Sequence, residues 1–170
     1  MYAVVQELIQ IFQAMTVVHE RFNEQALKKA EVIKKGDIAG LEQVMKDESP
    51  LIQQLGKLEN TRQHLIQQWL EEKGLVKENV TMEQLIPLFP ERDREELNEW
   101  QQRLVIEIQK LKEQNELNNQ LLEDSLRFVN LSLDEMHPQN QFSSYSGSGK
   151  NDDDHDDYDQ GNRSLFDSKV

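Results

Sequence analysis

Apolar residues in the first part of the chain recur in steps of four and three: Val4, Leu8, Ile11, Met15, Val18 and Phe22. That spacing is the seam of an α-helix packed against a neighbouring helix, and it drifts on to Ala26, Ala30 and Ile33. Lys34, Lys35 and Gly36 supply cations for the last turn and a glycine to close it, and Asp37 then offers an N-cap for a second helix. The second pattern places Leu41, Val44, Leu51, Leu55, Leu58, Leu65 and Trp69 on heptad positions. Glu48 and Arg62 are its polar occupants, either paired with each other to fix register or lying at the edge with their heads in water. Pro50 interrupts this helix or caps a new one with Ser49, so a kink and a break both stay open. The short first turn makes the two helices antiparallel neighbours.

Gly74 ends the second helix, and Thr81 followed by Gln84 has the pattern of a capping box for a short connector helix that Pro87 cuts off. Pro90 and the acidic turns after it open a third helix. Its stripe reads Leu97, Trp100, Leu104, Ile108, Leu111, then Asn115 and Asn118, then Leu122, Val129, Leu133 and Met136. The pattern therefore predicts an all-α fold: an antiparallel bundle of three long helices with coiled-coil-like packing, over about 2–35, 37–73 and 91–136, with a connector helix at 81–86. At about 1.5 Å per residue the third helix measures roughly 70 Å against about 50 to 55 Å for the others, so its last dozen residues are expected to overhang the bundle. From 137 to 170 the chain turns to Ser, Gly, Asn and Asp, and this acidic tail is expected to be disordered because it has too little apolar surface to offset chain entropy.

Composition narrows the chemistry. The formal charge of -13 repels phosphate backbones and anionic membranes, so neither nucleic acid nor lipid suits the chain as a partner. Without cysteine there is no disulfide framework and no thiolate metal site, which is compatible with a reducing cytoplasm. The first helix lacks a basic n-region and carries Gln6, Glu7, Gln10 and Gln13, so it fits neither a signal peptide nor a membrane span. His19, His64, His137 and His155 have no mutual spacing that builds a metal or acid/base site, and no phosphate loop or nucleophile motif appears. No catalytic residue, metal or cofactor is expected. His155 within DDDHDDYD reads as part of a solvated acidic stretch rather than a cation site, and Asn115 and Asn118 read as seam residues that fix alignment.

The candidate site lies at the end of the third helix. Leu121, Leu122, Leu126, Phe128, Val129, Leu131, Leu133 and Met136 crowd a segment that the shorter helices do not reach, and exposed apolar surface of that extent marks an interface. Packing against the 75–90 connector or a second copy of the chain is the alternative. Burying six such side chains contributes about 9 to 18 kcal/mol before ordering costs.

Three features resemble the FlgN family of flagellar type III export chaperones: the hairpin turn at Gly36 and Asp37, the leucine-rich stretch from Glu48 to Arg62, and EQNELNNQLLEDSLRFVN from Glu113 to Asn130. The tail adds Tyr145 four residues before Gly149 and a terminal RSLFDSKV after an acidic spacer. The resemblance implies a cytoplasmic chaperone that holds the hook-filament junction proteins FlgK and FlgL before export and delivers them to the export gate protein FlhA. It further implies client binding by the C-terminal part, here Leu121, Leu122, Leu126, Phe128, Val129, Leu133 and Met136, and a gate-contacting tyrosine, for which Tyr145 is the match and Tyr158 a second candidate. The alternative class is a coiled-coil structural or regulatory subunit that self-associates through the end of the third helix.

Overall fold

The computed structural model describes residues 2–75 and 79–136. Among the described residues four α-helices run Tyr2–Lys35 (α1), Ile38–Glu72 (α2), Met82–Leu85 (α3) and Glu91–Met136 (α4), with a 3-10 turn at Ile86–Leu88 between the last two. No strand occurs among the described residues, so the fold is all-α. The tail from 137 onward, with Tyr145, Tyr158 and His155, lies outside the described residues. Two units divide the chain, 1–129 and 130–170, and the described part of the second is the last two turns of α4.

The hairpin between α1 and α2 is built from its turn. Gly36 takes a φ of +66°, in the left-handed region where a side chain is strained, and Asp37 closes the start of α2 by accepting from Gly40 N–H at 2.9 Å. A Cβ on Gly40 would collide with the Asp37 carboxylate and Val32, so the cap needs a glycine there. The returning α2 then lays Leu51 against Val18 and Phe22, and Lys29 reaches Glu48 at 2.8 Å. Glu48 therefore does not pair with Arg62. The two sit fourteen positions apart on one helix, about 21 Å along its axis, and Arg62 instead binds Glu59 one turn back. Pro50 lies inside α2, which continues through it.

Residues on α1 are buried on two stripes. Beside the one carrying Leu8, Met15, Val18 and Phe22 runs a second, Val5, Ile9, Phe12, Thr16 and His19, also spaced four and three. This second stripe lets α1 serve two neighbours at once. On α2 the core positions are Val44, Leu51, Ile66, Trp69 and Leu70, while Leu41, Leu55, Leu58 and Leu65 of the expected seam are half-buried.

The connector contributes more than its length suggests. Thr81 and Gln84 make the reciprocal capping box, which sets Leu85 and Phe89 into the core shared by α1, α2 and α4. Leu85 and Phe89 are almost wholly buried, and the Phe89 ring stacks on Trp69 with centroids 4.5 Å apart. Arg94 at the head of α4 donates to the Phe89 and Pro87 carbonyls, both at 2.7 Å, and so ties the connector to the helix that follows. The connector is thus committed to the end of the core formed by Val5, Leu8, Trp69 and Leu97.

Register between α1 and α4 is set by polar groups. Asn23 donates to the Glu107 carbonyl and carboxylate, and Asn118, 2% exposed, donates to the Ala26 carbonyl at 2.8 Å while accepting from Gln114. Both links advance in the same chain order, so α4 runs parallel to α1. Burying the Asn118 amide is tolerable because its oxygen and nitrogen each have a partner. The alignment role read for Asn118 is the one it has; Asn115 beside it is half-buried.

Candidate functional site

Among the described residues, no three His, Cys, Asp or Glu side chains are grouped so as to hold a metal ion. His19 is buried between α1 and α4 and touches the Phe22 ring, and His64 is exposed on α2. Burial pushes the His19 pKa below the usual imidazole value, partly opposed by the nearby Glu107 carboxylate. Its Nδ1 has no hydrogen-bond partner among the described residues, which fits a neutral ring within a helix seam. Glu107 is held below the usual carboxylate range by its hydrogen bond from Lys110, against an opposing contribution from burial. Glu107 links α4 to α1 through its bonds from Asn23, whereas the buried His19 Nδ1 adds no bond to that seam among the described residues.

The apolar candidates on α4 divide by depth. Leu121 and Leu122 are half-buried, and Ser125 bonds back to the Leu121 carbonyl within the helix. Beyond Asn118 no described residue of α4 is fully buried. In the first unit Leu126 and Phe128 are 63% and 72% exposed, with Val129 half-exposed. In the described part of the second unit Leu131, Leu133 and Met136 are exposed. Exposed Glu123, Asp124 and Arg127 are interleaved with Leu126, Phe128 and Val129, so the end of the first unit is amphipathic and only partly covered rather than a continuous greasy surface. Single exposed leucines are ordinary, but this density along one helix end is not.

Sequence reasoning did not assign two features. The connector's Leu85 and Phe89 are spaced four apart behind a capping box, a signal that was available. A heptad-spaced apolar row on α2, Ile38, Met45 and Ile52, is exposed although it has the periodicity of a seam. Tyr145, the expected gate contact, lies outside the described residues.

Fold and surface together define an all-α protein that presents apolar helix faces, and no described helix is long and apolar enough to cross a membrane. The FlgN protein family pattern matches residues 1–153, and the chain belongs to that family of flagellar export chaperones. It is also similar to Uncharacterized protein YvyG of Bacillus subtilis (strain 168), with 28% identity over 143 residues that cover 84% of this chain and 87% of that protein. No solved structure matches.

Proposed function

We propose that this protein is a cytoplasmic export chaperone that binds FlgK and FlgL, prevents their premature assembly and delivers them to the export gate protein FlhA. Its three long helices act as one antiparallel bundle with coiled-coil-like packing, and it works by binding rather than by catalysis. Membership of the FlgN family supports the role, and the observation that carries the site is the exposure of Leu126, Phe128 and Val129 on a helix whose earlier turns bury Leu97, Leu104 and Asn118. Leu121 and Leu122 belong to the same client surface in this reading, and Leu133 and Met136 of the second unit are proposed as client-binding residues in their own right.

A client helix laid along this end of α4 would remove both partners' apolar faces from water, the helix-in-groove mode of recognition. Such binding masks the client's assembly surface and needs no nucleotide, because release is decided by competition at the gate. Tyr145 is the residue assigned to that gate contact.

Size-exclusion chromatography with light scattering tests the reading. A monomer that shifts to a 1:1 complex with FlgK or FlgL supports it, and a tight oligomer indifferent to both overturns it in favour of a self-associating subunit. Replacing Phe128 and Val129 together with Ser should weaken client binding at least about tenfold, roughly 1.4 kcal/mol, while the melting temperature barely moves. If the double variant unfolds and its folded fraction keeps full affinity, those side chains belong to the core.

A further inference from the structure

Asn118 and Ser125 mark the line along which α4 lies on α1. Asn118 is buried and donates to the Ala26 carbonyl, and Ser125, one heptad on, is half-buried on the same helix face. From Ala26 α1 runs on to its end at Lys35, about 14 Å at 1.5 Å per residue, whereas Ser125 stands only about 10 Å past Asn118, so α1 reaches beyond it. Residues three places after each member of this line, Leu121 and Phe128, fall to one side of α1. Those four places after, Leu122 and Val129, fall to the other.

Each side carries its own apolar stripe. Leu117 extends the first, giving Leu117, Leu121 and Phe128, and Leu126 completes the second, giving Leu122, Leu126 and Val129 in the steps of four and three also found on α1. Leu117 and Phe128 on one side, and Leu126 and Val129 on the other, are exposed. The two stripes are about 100° apart around the helix with α1 between them, so a single partner helix cannot lie on both. Charges near the stripes have mixed sign: Glu123 and Asp124 stand beside Arg127 on α4, and Arg21, Glu24 and Lys28 are exposed on α1. They select neither an acidic nor a basic occupant, and recognition rests on apolar burial.

We propose that the client-binding surface is bipartite, and that its occupant is a pair of helices from one client molecule, each laying an apolar stripe along one side of the end of α4. This rests on the client-binding reading above and adds the number of helices that the site takes. α1 is the precedent within the fold, since its own two stripes serve two neighbouring helices. A second copy of this chain does not fit, because pairing about a two-fold axis sets one stripe against its equivalent and leaves the other in water.

Calorimetric titration of full-length FlgK and FlgL into the full chain tests this, together with hydrogen exchange on the bound client. Leu117→Ser with Phe128→Ser should weaken client binding at least about fivefold, and Leu126→Ser with Val129→Ser should do the same. The four together should multiply the two losses, since the stripes lie on different faces. All four side chains are exposed, so the melting temperature should barely move. Two separate helical segments of the client should gain protection, and each pair of substitutions should release one of them; the pattern on the unaltered complex decides the matter even where a variant folds poorly. Protection of a single segment, or full affinity after either pair, would overturn the bipartite site while leaving client binding intact. A dimer seen by light scattering that either pair dissolves would overturn it by making a second copy an occupant. If neither FlgK nor FlgL binds the unaltered chain, the client-binding reading fails and the proposal falls with it.

Discussion

At the scale of single residues, His19 makes stability depend on pH in a stated direction. Burial lowers its pKa in the folded chain below the ordinary 6.5. The unfolded chain therefore takes up that proton first on acidification, so the contribution is fully present above about pH 6.5 and is lost as pH falls towards the lower folded value. Denaturant titrations at about pH 7 and 5.5 should show this loss, and His19→Leu should flatten it. Glu59 and Glu107 act in a lower window. Burial pushes Glu59 up, but its bonds to Arg62 and Gln63 and the Arg62 charge bring it below its usual 4.5; Glu107 is lowered chiefly by Lys110. Their contribution is present above about pH 4.5 and disappears below it, so a second decline should survive in the His19 variant. Asn118 gives a separate test: Asn118→Ala should cost about 1 to 3 kcal/mol, since it opens space and removes a buried bond to Ala26. An unchanged urea midpoint would show that the amide is dispensable for register.

At the scale of elements, the connector and the second helix should respond differently to truncation. Phe89→Ala removes a nearly fully buried ring stacked on Trp69 and should cost about 3 to 5 kcal/mol, whereas half-buried Leu55 should lose only about 1 to 2 on the same change. Equal losses in a denaturant series would show that the connector is not part of the core. Pro50→Ala should raise the melting temperature, because it restores a backbone donor inside α2. The three long helices were legible in the sequence because their apolar stripes repeat over many turns and their ends carry Gly36, Asp37, Gly74 and Pro90. Burial along those stripes was less legible. Leu41 and Leu55 occupy seam positions with only half their surface covered, since heptad spacing fixes a face but not how closely a neighbour approaches it. Phe89 was read past because its four-residue spacing from Leu85 runs across Pro87, which ends the connector helix, and its burial depends on Trp69 arriving from a distant helix. The apolar density at the end of α4 could be read directly, but the partners of Asn23 and Asn118 could not, because Glu107 and Ala26 meet them only once two helices far apart in the chain are set side by side.

At the scale of the whole molecule, the two ends of the core differ. Val5, Leu8, Trp69, Leu85, Phe89 and Leu97 close one end, while burial along α4 stops at Asn118 towards the other. Net charge acts on the molecule as a whole. A chain of formal charge -13 repels itself when compact, and screening reaches about 10 Å at 0.1 M salt. Raising sodium chloride from about 10 to 200 mM should therefore increase the melting temperature. A fall instead would mean that local pairs such as Lys29–Glu48 outweigh the repulsion.

The docking of α4 on α1 also sets an order of assembly. Lys29 and Glu48 are 19 residues apart in the chain, but Asn23 and Glu107 are 84 apart and Asn118 and Ala26 are 92 apart. Closing the longer loops costs more chain entropy and must wait until the residues beyond them exist. The hairpin of α1 and α2 should therefore form while the chain is still being synthesised, with the second stripe of α1 bare until α4 is made. Pulse-labelled amide exchange during refolding should protect the hairpin turn before the middle of α4. During that interval Phe12 and Ile9 are the nascent chain's own exposed apolar surface, and this member of a chaperone family must first complete α4 to cover itself.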